Sequence, residues 1–366
     1  MHLSISRASL LQQVQHCQGI VEKRSTKPIL CNLFLHAENQ TLKIIGTDLQ
    51  MAISASVETK VIEPGETTVS AQKLFEIIKE LDTDKEIELK TKDSFLVIKS
   101  GRSRFRLSTM GTDDYPGMPD DDTDMSFDLD SQQLAKMIAG TAFAMSNDET
   151  RKYLTGTLFE TDEKLGFRMV STDSHRLALV ELALDASLEA VKCIVPKKTV
   201  IEMKKISEEQ SAPVHLSLGV RQVRMQCGPY TLSSKVIDAT FPAYEEVIPK
   251  QNPRQVDVSC KNLDQSLRRS MIVANEVTHD VRLTFTSEGL QVAAHNTDQE
   301  QAEEFVEVDI QGPETVIGFN GRYLRDVLSV VDTEQVSIHF RDELSPVLLT
   351  TTSESGSKYV VMPMRI

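Results

Sequence analysis

GTLFETDEKLGFRMVSTD, residues 156–173, decides how this 366-residue chain is read. Two alternating apolar runs flank the polar turn Asp162-Glu163-Lys164, the pattern of a β-hairpin with one buried face. The hairpin closes on Thr172-Asp173. The same pair closes NLFLHAENQTLKIIGTD (32–48) and VRLTFTSEGLQVAAHNTD (281–298), so the aspartates at 48, 173 and 298 stand 125 residues apart at each step. One pair alone means nothing, but its surroundings recur in order. Each hairpin follows a strand and a helix: HLSISRASLLQQVQHC, MSFDLDSQQLAKMIAGTAFA and VDVSCKNLDQSLRRSMIVA. A second strand and helix come next, in TTVSAQKLFEIIKEL, CIVPKKTVIEMKKI and TVIGFNGRYLRDVLSVV, and strands such as SRFRLST, YTLSSKV and YVVMPMRI close each third. Such a long internal period specifies a repeated domain. The expected fold class is α+β, three repeated domains, each with two helices packed on antiparallel sheets. The joins DDYPGMPDDDTD (113–124) and FPAYEEVIPKQNP (241–253) are rich in turn residues and acids. They place the domains at 1–120, 121–248 and 249–366.

Composition agrees with such a chain. Forty per cent hydrophobic and 26% charged residues are ordinary for a soluble protein of two or three domains. No apolar run approaches the ~18 residues of a membrane span, and MHLSISRASLLQQV lacks the form of a signal peptide. A cytoplasmic location is expected. The cysteines at 17, 31, 193, 227 and 260 show neither zinc spacing nor close pairing, and reduced, mostly buried thiols are expected.

The net charge of −14 at first opposes a nucleic-acid partner. Sorting charge by element reverses that inference. The predicted helices span 9–20, 70–81, 131–144, 196–206, 261–274 and 320–331. They hold twelve Lys/Arg and five Asp/Glu, leaving +7 on the helices and −21 elsewhere. Helix propensity alone favours Glu as much as Lys, so the imbalance points to a helical surface meant for a polyanion. No base-reading motif is evident, and contacts to phosphate without sequence readout are expected. Six helices ~10 Å wide standing around a hole leave only ~9 Å clear, whereas twelve leave ~28 Å, enough for a duplex. Three two-helix domains would therefore need a second copy to encircle DNA.

Catalytic signatures are missing. No phosphate-binding loop, dinucleotide fingerprint, HExxH or GxSxG occurs, and the histidines show no metal spacing. The run Asp120-Asp121-Asp122 reads as solvated linker. Asp173-Ser174-His175 contains the three residue types of a hydrolase triad, but neighbours on a strand point to alternate faces, and a triad needs convergence from separate segments.

From residue 1 to 366 the chain resembles the bacterial DNA polymerase III beta subunit family, the sliding clamps. GTDLQM (46–51), SGRSRFRLST (100–109), TDSHRLA (172–178), FPAYEEVIP (241–249), GFNGRYLRDVL (318–328) and YVVMPMRI (359–366) carry the resemblance. It implies a head-to-tail homodimeric ring that encircles duplex DNA, has no catalytic activity and needs no cofactor or metal. The implied partners are duplex DNA, the clamp loader, a second copy, and the polymerase III core and other polymerases through short linear peptides; no membrane is involved. By matching positions, one side of a partner-peptide pocket is Leu154, Thr172, Ser174, His175, Arg176, Leu177, Pro242 and Val247. The other is Asn320, Tyr323, Met362, Pro363, Met364 and Arg365. Implied DNA contacts are Arg24, Lys73, Lys152, Tyr153, Lys197, Lys198 and Lys235. The implied dimer interface sets Phe105 and Leu107 near Ile272 and Val273, with Arg102 and Arg104 facing Asp298, Glu300, Glu303 and Glu304. Four positions depart from the family pattern: Ser174 where Gly is frequent, Glu246 at a position that can be basic, Gln72 for a basic residue, and Ile366 for a terminal Leu. A nucleic-acid-processing enzyme with a basic channel and a monomeric peptide scaffold are the competing readings. The missing catalytic groups oppose the first, and the basic helices oppose the second.

Overall fold

A computed structural model describes residues 1–120, 122–164, 166–184, 188–351 and 356–365. Asp121 of the acid run and the terminal Ile366 lie outside the described residues. Among the described residues six α-helices form: α1 (Arg7–Ile20), α2 (Ala71–Glu80), α3 (Ser131–Ala142), α4 (Lys197–Glu209), α5 (Cys260–Ser270) and α6 (Gly321–Leu328). Four starts share one device, a short polar side chain accepting a backbone N–H of the first turn. Ser6 accepts from Ser9, Ser70 from Lys73, Ser259 from Asn262 and Asn320 from Arg322. Helix α5 stops four residues before the predicted end. The backbone there turns instead into a loop in which the Asn275 carboxamide accepts the N–H groups of Val277 and Thr278.

The chain divides into two compact units, Met1–Ala135 with Ile201–Val236, and Lys136–Val200 with Ile237–Ile366. The first unit holds a 13-stranded antiparallel sheet. Its core alternates as predicted, with Leu33, Leu35, Leu42 and Ile44 fully buried. Helix α1 presses Leu10, Val14 and Cys17 onto the strands Thr41–Thr47 and Met51–Glu58. The approach is so close that a Cβ at Gly46 would collide with the carbonyl oxygen of Cys17. Burial pushes the Cys17 thiol up to about 12, so it stays protonated at neutral pH. His16, also on α1, bonds Glu209 of α4 at 2.9 Å and meets the Tyr230 ring edge-on at 4.7 Å.

The second unit holds an eight-stranded and a four-stranded sheet. Helices α5 and α6 bury Leu263, Leu267, Leu324 and Val327 in one cluster with Phe285, Phe319 and Phe340. Arg325 of α6 meets Asp264 of α5 at 2.8 Å.

The sheets also run on from one sequence third into the next. Tyr230–Lys235, from the second third, pairs with Met51–Glu58 of the first, with Leu232 opposite Ile53. Lys358–Val361, from the last third, pairs with Arg176–Leu182, with Val360 opposite Leu177. A strand at a sheet edge carries unpaired N–H and C=O groups, and a neighbouring repeat supplies the complementary edge. All five cysteines are free thiols. Among the described residues no helix is long and apolar enough to cross a membrane, and no cluster of His, Cys, Asp or Glu could hold a metal ion. With the observed helix ends, Arg7, Glu208 and Glu209 join the helical charges, so thirteen basic residues face seven acidic ones. The helical excess falls from +7 to +6.

Candidate functional site

Asp173, Ser174 and His175 form the turn between the strands Gly166–Thr172 and Arg176–Leu182 and are not themselves strand, which corrects the geometry argued for them. The Thr172 hydroxyl donates to the Arg176 carbonyl at 2.7 Å and accepts the Ser174 N–H at 3.1 Å. Asp173 Oδ1 accepts the N–H groups of His175 and Arg176 at 2.9 and 3.0 Å, while its Oδ2 takes Arg176 Nε at 3.1 Å. The conclusion against a triad stands for a different reason: the carboxylate is committed to its own turn. His175 stacks on Tyr323, ring centroids 6.3 Å apart. The chain reverses at Ser174, whose φ of 76° lies in the left-handed region. That region favours Gly and explains why Gly suits this position.

Thr47-Asp48 builds the same turn. Thr47 bonds Met51 and Leu49, Asp48 takes the N–H groups of Gln50 and Met51, and Leu49 has φ 71°. Thr297-Asp298 does not. There Asn296 accepts the N–H groups of Asp298 and Glu300, each at 3.0 Å, and the reversal is one residue longer.

Arg176 leaves this turn toward α6 and α3. Its Nη1 meets Asp326 at 2.5 Å, its Nη2 donates to the Phe143 carbonyl at 2.6 Å, and its guanidinium lies 4.5 Å over the Tyr323 ring. With its side chain only 10% exposed, the cation is neutralised by two carboxylates. Beside it opens a cavity of about 210 Å³ lined by Leu154, Leu177, Pro242, Val247, Val360 and Met362, with Thr172, Ser174 and Arg176 at its edge. Arg151, Tyr153 and Tyr244 complete the lining. Its base is the apolar cluster of Leu158, Val170, Leu177, Leu179, Ile194, Tyr244 and Val360. The Tyr244 hydroxyl donates to Glu160 at 2.5 Å and accepts from Arg168 at 3.2 Å. Burial, and then the neighbouring Glu160, push that phenol far above its ordinary value, so it stays a neutral donor.

Eight predicted pocket residues thus meet around one cavity: Leu154, Thr172, Ser174, Arg176, Leu177, Pro242, Val247 and Met362. The other six do not line it. His175 and Tyr323 stack beside it, Asn320 caps α6, and Met364 bonds Gly318 through the backbone. Pro363 is half-buried and Arg365 exposed. Sequence reasoning missed Arg151, Tyr244 and Val360. Tyr244 and Val360 stood inside quoted motifs, FPAYEEVIP and YVVMPMRI, so that signal was present.

The implied DNA contacts fall in both units. Arg24, Lys73 and Lys235 are exposed in the first. In the second, Lys152 and Lys198 are exposed, and Lys197 is half-buried with its Nζ on Asn147 at 2.7 Å. Tyr153, read as a DNA contact, packs on the cavity's apolar base. Among the residues implied for a dimer interface, Arg102, Arg104 and Phe105 are exposed and Leu107 half-buried on Ser103–Met110 or the turn before it. Among the described residues, residues 103–107 of that strand pair only with Phe95–Ser100, so their other edge is open. Gln301–Val306, which carries Glu303 and Glu304, also pairs on one side only among the described residues, with Gly289–His295. Ile272 is 80% exposed, while Val273 packs partly into the core. Asp298 and Glu300 lie in the turn before the strand. Glu304 is already held by Arg269, at 2.8 and 2.5 Å.

Three family descriptions tile the sequence: DNA polymerase III beta subunit N-terminal domain over residues 1–119, central domain over 128–243 and C-terminal domain over 245–365. The chain belongs to the DNA polymerase III beta subunit family. It is 38% identical to the beta sliding clamp of Pseudomonas putida and 37% identical to that of Escherichia coli, each match covering all of both proteins. The solved DNA polymerase III subunit beta of Pseudomonas aeruginosa superposes with a TM-score of 0.95 at 38% identity, again over 100% of both chains. The three repeats are the three domains of that family.

Proposed function

We infer that this chain is a sliding clamp for DNA, the processivity component of DNA polymerase III, and that it acts by topology. The carrying observation is that three clamp domains cover residues 1–119, 128–243 and 245–365 of a chain that sets basic helices in an acidic body. Such a clamp has no reaction of its own to catalyse, uses no cofactor and works in the cytoplasm, opened by a clamp loader. The domain limits are 1–120, 121–248 and 249–366. Arg24, Lys73, Lys152, Lys197, Lys198 and Lys235 meet phosphates without reading bases. Retention on circular plasmid, followed by loss when the plasmid is linearised, tests the mechanism. Equal retention on both forms would overturn it.

Two copies close the ring head to tail. The open edge of Ser103–Met110 in one copy joins the open edge of Gln301–Val306 in the other, continuing a sheet across the seam. Arg102 and Arg104 face Asp298, Glu300 and Glu303, which fixes direction more than affinity. Phe105, Leu107 and Ile272 supply the apolar contact, with Val273 supporting Ile272 from the core.

The cavity beneath Arg176 takes a short partner peptide with apolar anchors. An apolar lining with a few fixed polar groups suits such a ligand. Removing residues 362–366 takes Met362 from the wall while sparing the strand Lys358–Val361. It should abolish binding of polymerase-derived peptides and leave the dimer intact, and unchanged peptide affinity would refute the site.

A further inference from the structure

We propose that Ser174, acting through Arg151, sets the charge preference of the peptide pocket: the hydroxyl holds the guanidinium where it selects an anionic group beside the apolar anchors. The inference rests on the peptide-binding reading of the cavity.

Two observations meet here. Ser174 keeps a left-handed backbone, φ 76°, at a position where Gly would be free of strain. A residue held in a sparsely populated conformation beside a cavity calls for a reason, and its side chain supplies one. Ser174 Oγ accepts from Arg151 Nη1 at 2.7 Å, while Arg151 Nε donates to Asp148 at 2.8 Å. Pinned on two edges, the guanidinium lines the cavity. Its Nη2 has no partner among the described residues. Arg151 lines the cavity and is only about one-third exposed, so it stands on a partly dry wall. A carboxylate placed there gains a charge-assisted bond to a group already oriented, without the cost of ordering a long side chain.

Asp148 offsets part of the cation's charge. It cannot replace the serine, because it binds the opposite edge of the guanidinium. With Gly at 174 the Nη1 edge would lose its anchor, and Arg151 would turn about the Asp148 bond. Ser174 is therefore a positioning residue, and Arg151 is the group that touches the ligand. Glu245 and Glu246 are exposed next to Val247 on another part of the rim, so the anionic group is wanted on the Arg151 side alone. The pocket is polar in direction and should orient the peptide as well as hold it.

The test uses fluorescein-labelled nine-residue peptides built on a Leu-Leu anchor. One Glu is walked through the flanking positions, and each Glu peptide is matched by its Gln twin. Binding is measured by anisotropy to the full-length protein. At one position or more, the native chain should prefer Glu over Gln by about threefold to tenfold. S174G should bring that ratio below about twofold while melting no lower than the native chain. R151Q should remove the preference altogether. S174N offers an acceptor oxygen and tolerates the left-handed backbone, and it should restore most of the preference. A Glu/Gln ratio unchanged in S174G and R151Q overturns the inference while leaving the peptide site standing. Binding of none of the peptides overturns the peptide site and this inference with it.

Discussion

Asp173 has a great deal of structure to hold. It accepts two backbone N–H groups of its own turn and one edge of a nearly buried arginine. Asp173→Ala would strand those donors and leave Arg176 with Asp326 as its one carboxylate. The expected cost is about 2–3 kcal/mol, read by urea denaturation, together with weaker peptide binding. The Thr-Asp pair was legible in the sequence as a repeated unit, and in two of three repeats it is one turn with the same hydrogen bonds. The third repeat keeps the letters and moves the work to Asn296. A one-residue change in turn length reassigns every backbone bond, and identity at two positions carries no information about that.

Among the elements, Gly46 marks where α1 lies tightest on the sheet. Gly46→Ala should cost about 2–4 kcal/mol by forcing the helix off the strands, with the loss visible in the melting temperature. Glu181 joins three strands of the eight-stranded sheet, bonding Arg168 at 2.8 Å and Lys358 at 2.9 Å. Burial alone would raise its carboxyl, but Lys358 and Arg168 hold it below the ordinary value of 4.5. A lowered folded value means stability that is fully present above about pH 4.5 and lost as pH falls through that folded value. Glu181→Gln should flatten this part of the acid limb in a stability–pH profile and leave the neutral region with the same slope. At the proposed dimer edge, Ile272 is the clean probe because it is 80% exposed, whereas shortening Val273 also opens the core. Ile272→Ala with Phe105→Ala should favour monomers in sedimentation equilibrium while the melting temperature changes by little; an unaltered dimer would count against the seam.

For the whole molecule, the charge partition matters more than the total. A net charge of −14 opposes indiscriminate adhesion to a polyanion, while the helices carry the positive excess. Replacing Arg24 and Lys73 together by Ala should reduce the slope of log affinity against log salt by about 1–2 on short duplexes, with no change in sequence preference. A slope that does not move would remove these two residues from the DNA contact.

The period, the six helices, the hairpins and the helical charge excess were all properties of the sequence alone. Each depends on residues near one another in the chain, where apolar spacing and capping side chains decide the local conformation. Only the tertiary structure decided which repeat lends a strand to which sheet, since any open edge can pair with any other of matching register. It also brought Arg151, Tyr244 and Val360 to one cavity from segments far apart in sequence, and it assigned Glu304 to Arg269. Such convergence is set by how sheets and helices pack, and a linear pattern does not encode which distant side chains will share a wall.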